Sequence, residues 1–219
     1  MNRVFIEIEK FRKWAEAYSH IAQDERGGEW ETDYPDWPII WSEFELFLKE
    51  NHFSTWSEEQ QDNVLYIIAR DNECNSVIEL IAEHPETLEF IAEKGLNFNS
   101  NDTKWQIAEM LHKLPNKARA EQLLEHYLKQ HIEYVSRMAI QSLGRLKSGL
   151  TEKYCQQAWG WNQDDPMSQY QRIMALTVLF EYKSPLLEKY IALAKEDGRK
   201  YLVNQAVTIE AEMKADKAL

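Results

Sequence analysis

Catalysis needs a constellation of side chains, and the 219 residues of this chain hold few candidates. The six histidines are His20, His52, His84, His112, His126 and His131. None belongs to a His-Glu-x-x-His pair, the spacing that sets two zinc ligands on one helical face. Glu109 and His112 make one Glu-x-x-His step, but a carboxylate-bridged di-iron bundle needs two such steps and two further glutamates. His126 and His131 lie five apart, poor spacing for sharing a metal along a helix. Two cysteines, Cys74 and Cys155, cannot build a disulfide framework or a Cys-rich zinc site. They read as two buried or half-buried thiols in a reducing compartment. A phosphate-cradling Gly-x-x-x-x-Gly-Lys-Ser/Thr loop, a Gly-x-Gly-x-x-Gly turn and a Gly-x-Ser-x-Gly elbow are all missing from the sequence. The expectation is a chain without metal, cofactor or catalytic set.

Binding chemistry is better represented. The formal net charge is −12, and it is unevenly spread. Residues 1–109 carry 9 Lys/Arg against 24 Asp/Glu, residues 110–155 carry 8 against 4, and residues 156–219 carry 8 against 9. A field of that kind steers charged partners. Within the acidic block, Trp30, Glu31, Asp33, Tyr34, Asp36 and Trp37 place aromatic rings among carboxylates. If exposed, those rings are anchors suited to a basic partner; if buried, they are core. Trp41 and Trp56 are expected to pack the N-terminal segment onto the helices after it, and at least one of Trp159 and Trp161 is expected in the core. In the basic stretch, Lys113, Lys117, Arg119, Arg145 and Lys147 could form a stripe for gripping phosphates. The acidic block would repel the same backbone unless it faced away.

The elements that must position these residues read as helices throughout. Apolar residues recur at three- and four-residue spacing, and no stretch alternates as a half-buried strand does. The first helix is expected from Arg3 to about Gln23, carrying Phe5, Ile8 and Phe11 on its apolar stripe; Gly27-Gly28 ends the region after it. Residues 29–38 form a loop, and a second helix runs from Pro38 to Asn51. Ser57 and Gln60 make a capping box, and Pro85 divides two short helices. Asp102 is expected to cap the next helix, while Asp165-Pro166 and Ser184-Pro185 place capping side chains directly before prolines. With only seven Gly and six Pro, nearly all at expected helix boundaries, the chain is an all-α string of short antiparallel helices. The longest apolar runs fall well short of a membrane span. Arg3, Glu7, Glu9 and Lys10 interrupt any signal-peptide core, which makes the cytoplasm the expected location.

Tyr134 to Leu146, with Val135, Arg137, Ala139 and the Leu143-Gly144 pair in that order, resembles the second helix of a HEAT repeat. Ala175 and Leu179 lie thirty-six residues beyond Ala139 and Leu143, and Ala108 and Ala206 continue the theme at weaker matches. The resemblance implies an α-solenoid over residues 57–219, packed as one continuous domain of stacked antiparallel helix pairs, with residues 1–56 as an atypical N-terminal cap. It further implies that Gly144 permits close helix approach and that Arg137 and Arg172 bond neighbouring repeats. Two functions follow as expectations. One is a non-enzymatic protein-binding scaffold, with a bacterial immunity protein against a basic toxin or nuclease as its sharper form. The other is nucleic-acid binding, or the DNA glycosylase activity that some HEAT-like proteins have, through the basic 110–155 region.

Overall fold

The computed structural model describes residues 2–18, 30–161 and 165–216. These residues are helical, with no strand among them. The helices are α1 (Arg3–Ala15), α2 (Trp37–Glu50), α3 (Glu58–Arg70), α4 (Ser76–Ala82), α5 (Pro85–Gly95), α6 (Asn101–Met110), α7 (Lys117–Leu128), α8 (Glu133–Arg145), α9 (Thr151–Gly160), α10 (Ser168–Glu181), α11 (Leu187–Asp197) and α12 (Lys200–Asp216). The first helix is shorter than its periodicity suggests, with a single 3-10 turn at Glu16–Tyr18 after it. The expected breaks at Gly27 and Gly28 lie outside the described residues. The chain divides into two compact units, Met1–Pro115 and Asn116–Leu219. The segment expected as a cap therefore shares a unit with the helices of 58–115.

In the second unit, α7/α8, α9/α10 and α11/α12 are helical hairpins, and α10 packs against both α8 and α12. A Cβ on Gly144 would stand 2.6 Å from Val178 Cγ1, so α8 and α10 approach as closely as they do because residue 144 lacks a side chain. Gln171 of α10 donates to the Glu133 carbonyl of α8 at 2.5 Å, and Gln205 of α12 donates to Thr177 Oγ1 of α10 at 3.1 Å. Each step of the layer thus carries a polar tie beside its apolar contact. The thirty-six-residue period extends to the turns. Lys147 and Lys183 both take positive φ, 49° and 57°. Directly after them, the Ser148 and Ser184 amides donate back to the Leu143 and Leu179 carbonyls, closing both helices in the same way.

Arg172 and Arg137 reach the neighbouring hairpin by different contacts. Arg172 donates to the Trp159 carbonyl at 3.0 Å and pairs with Asp197 at the end of α11, which links two hairpins as expected. Arg137 pairs with Glu133, four residues earlier on its own helix, lies over the Tyr134 ring, and reaches the next hairpin over the Tyr170 ring of α10. Trp159 and Trp161 are both half-buried, so neither fills the core as expected.

The first unit is less regular. Helix α6 lies against α3, where Thr103 Oγ1 and Gln106 Nε2 donate to the Leu65 and Ile68 carbonyls at 2.9 and 2.6 Å. The Ser57–Gln60 capping box forms with both of its hydrogen bonds. Ser100, rather than the expected Asp102, caps α6; its hydroxyl accepts from the Thr103 amide, leaving Asp102 within the first turn. Helices α1 and α2 pack through Phe5 and Phe47, whose rings meet edge to face at 5.0 Å.

Candidate functional site

The aromatic, acidic segment after residue 29 folds inward. Trp30–Asp33 is a 3-10 turn and Trp37 opens α2, so Phe11 of α1 comes to lie against Trp30, Tyr34 and Trp37 together. Tyr34 and Trp37 are 5% and 6% exposed, and Trp30 stacks on Trp14 with ring centroids 5.7 Å apart. Glu31 is buried as well, paired with Arg70 of α3 at 2.9 Å. The expectation of exposed anchors at Glu31, Tyr34 and Trp37 is thereby corrected: each ring has aromatic neighbours that cover it, and the carboxylate has its own cation. Asp33 stays exposed and Asp36 half-exposed. Burial raises the Glu31 carboxyl above the usual carboxylate range despite Arg70.

A cavity of about 220 Å³ opens between this segment, α2 and the α3–α4 connection. Its wall includes Tyr34, Trp37 and Trp41 on one side and Arg70, Asp71 and Asn72 on the other. Trp37 and Trp41 stack with an interplanar angle of 16°. The Asp71 carboxylate accepts from the Val77 amide at 2.7 Å, capping α4 in place of Asn75, whose side chain makes no cap. Burial pushes the Asp71 carboxyl up to about 6, against the Val77 and Ser76 amides and the nearby Trp41 indole, which favour its ionised form. Tyr34 Oη, Trp41 Nε1, Arg70 Nε and Asn72 Oδ1 are all buried without a hydrogen-bond partner; the Trp41 indole lies near Asp71 but outside hydrogen-bond geometry. Cys74, at the cavity's edge, is exposed rather than buried. Desolvation and the Asp71 and Glu73 charges raise its thiol, which keeps it protonated. Cys155 is buried and pushed up to about 12.

A second feature of this unit pairs aromatic surface with acid. Phe53, in the 3-10 turn Phe53–Thr55, and Phe90 of α5 are both half-buried, their ring centroids 4.9 Å apart. Trp56 is buried against Phe47 and Phe90, as expected of a residue joining the first two helices to the rest. Glu50 ends α2 three residues before Phe53, Glu58 and Glu59 follow in the first turn of α3, and Glu86 approaches His52 at 3.3 Å. All four carboxylates are exposed, and Glu50, Glu58 and Glu59 have no ion-pair partner among the described residues. One cation, Lys94, reaches over the Phe90 ring. Sequence spacing gave no sign of this pair, because Phe53 and Phe90 meet only through tertiary packing.

The basic candidates are partly brought together. Lys117 at the start of α7 donates to the Lys147 carbonyl beyond the end of α8 at 2.7 Å, so two of the five share one end of that hairpin. Arg119 turns to Gln122 and Arg145 is exposed. Lys113, also exposed, belongs to the first unit. Among the described residues no group of three or more His, Cys, Asp or Glu could hold a metal ion, and no helix is long and apolar enough to cross a membrane.

Comparison with protein-family models, with curated proteins and with solved structures gave no match.

Proposed function

We propose that this chain is a non-enzymatic scaffold that binds a basic protein through the acidic edge around Phe53 and Phe90. The observation that carries this reading is the half-exposed phenylalanine pair, with exposed Glu50, Glu58 and Glu59 close to Phe53 in the chain and Glu86 at His52, whose ring lies against that of Phe53. An apolar centre with a charged rim is the usual anatomy of a protein interface, and unpaired rim carboxylates attract a cationic partner before contact. This keeps the chemistry first expected of residues 30–37 and moves it to a different surface. The HEAT-like hairpins of the second unit belong to the same reading as rigid helical surfaces of a scaffold. In its sharper form the partner is a basic toxin or nuclease and the chain is its immunity protein in a bacterial cytoplasm, a reading supported by small size and strong acidity.

The test uses the whole chain and its Glu50→Lys/Glu86→Lys double variant as baits in lysate of the native host, with mass spectrometry of the retained protein and kinetics on the purified pair. The reading expects a basic protein held by the native chain, at least tenfold weaker capture by the variant, and an association rate that falls as salt rises. Retention of nucleic acid in its place, equal capture by both baits, or a salt-independent association rate overturns it.

A further inference from the structure

We infer that the cavity in the second unit between the end of α7, α8, α9 and the first turn of α10 is a binding site for a small organic carboxylate with an apolar body. The acidic edge belongs to the first unit, so the two sites stand or fall separately. The cavity measures about 440 Å³, inside the span of about 300–1,000 Å³ usual for ligand sites, which join apolar walls to a few converging polar groups. Leu128, Ile140 and Ala158 line it with aliphatic surface, and Trp161 stands half-buried at its side. Trp159, two residues earlier, packs on Tyr190 at 4.8 Å and under Arg172. Trp161 has neither kind of neighbour among the described residues, where its hydrogen bonding is limited to its backbone amide on the Ala158 carbonyl. An indole that borders a cavity and packs on no other ring leaves its face to what enters.

The polar lining selects the sign of the ligand. Ser136 is half-buried, His131 and Gln157 are exposed, and none of these three side chains makes a hydrogen bond among the described residues. Gln171 spends one Nε2 hydrogen on the Glu133 carbonyl and keeps a second. All four side chains can donate, and Lys129 adds a full positive charge. No Asp or Glu lines the cavity. Two carboxylates on the elements around it are already engaged: Glu125 accepts from the Tyr154 hydroxyl at 2.6 Å with Lys153 at 3.6 Å, and Glu133 pairs with Arg137. A cationic ligand would meet no carboxylate in the lining and would face Lys129. A neutral hydrocarbon would fill the walls and leave the donors unanswered. A carboxylate accepts from several donors at once through its two oxygens, and such charge-assisted bonds are about twice as strong as neutral ones. One lysine in the lining matches a single negative charge, which favours a carboxylate over a phosphate dianion.

The experiment is calorimetric titration of the full chain with phenylacetate, indole-3-acetate, hexanoate and decanoate, followed, for any that binds, by its primary amide and by the amine of the same carbon skeleton. The native chain is expected to bind at least one of the four acids, to lose at least tenfold in affinity for the amide, and to show no heat with the amine. Lys129→Gln is expected to weaken acid binding at least fivefold and Trp161→Ala at least tenfold. Neither side chain makes a hydrogen bond or ring contact among the described residues, so both variants are expected to keep the native circular dichroism. Binding of none of the four acids, which would mean a cavity filled by water only, overturns the assignment. Equal binding of acid and amide overturns the choice of ligand, as does tighter binding of phenyl phosphate than of phenylacetate. Native affinity in both variants overturns the choice of site.

Discussion

The two units of the chain are built on different terms. In the second, three hairpins repeat one arrangement: a close α8–α10 approach at Gly144, polar ties from Gln171 and Gln205, and two turns of the same form at Lys147-Ser148 and Lys183-Ser184. Its ion pairs join Arg172 and Arg199 to Asp197 and Arg137 to Glu133. In the first, two short helices and a 3-10 segment replace the regular hairpin, and a carboxyl without a cation among the described residues is buried at Asp71. Where local rules are broken and the cost is not recovered nearby, function is the usual reason. On the proposed function, the regular unit is framework and the irregular one the place of binding.

The largest expected effect breaks the framework. Asp197→Ala leaves the Arg172 and Arg199 guanidinium groups without their carboxylate; loss of one member of a buried ion set costs about 3–5 kcal/mol, and this part-buried set is expected at the lower end of that range. Chemical denaturation followed by hydrogen exchange of the α10 amides checks this. Hydrogen bonding from Arg199 holds the Asp197 carboxyl below the usual carboxylate range. Its contribution is therefore present above the unfolded-state pKa of about 4 and lost as the pH falls below it.

Asp71 gives the first unit the opposite response. Its folded pKa of about 6 lies above the reference value of 3.8, so its contribution is fully present below about pH 4 and is lost as the pH rises to about 6. Between those values the α4 amides are expected to exchange faster as pH rises, after correction for intrinsic exchange. Asp71→Asn should remove that slope and stabilise the fold near pH 7 by about 2–3 kcal/mol, the equivalent of a shift of about two pH units.

Gly144→Val is next in size. The new side chain would enter the space of Val178, and overpacking of this kind costs about 1–3 kcal/mol. Val178→Ala in the same chain should return part of that loss, a coupling absent if the two helices were loosely packed. The smallest effect is expected for Ser57→Ala, which removes one half of the α3 capping box and should lower stability by about 1 kcal/mol. Thermal unfolding suffices for both.

Much of the framework is legible in the sequence, because caps, prolines and glycines act locally. Ser57-Gln60 and the place of Gly144 followed from a few residues of context. The aromatic segment did not follow. Residues 30–37 are not a regular helix, so periodicity assigns no inner face, and the burial of Tyr34 and Trp37 depends on Phe11, far away in the chain. Glu31 reads as a surface acid until Arg70 is brought to it across 39 residues. Phe53 and Phe90 likewise meet only through tertiary packing, with Trp56 against Phe90. Interfaces and cavities made by tertiary contacts leave little trace in local pattern, even where every helix around them is announced.

Hydrogen exchange of the chain with and without its captured basic partner tests most directly whether binding resides in the irregular unit. The account predicts new protection at residues 50–59 and 86–93, with α8, α10 and α12 unchanged. Protection confined to the second unit, with residues 50–59 and 86–93 exchanging as in the chain alone, would contradict it.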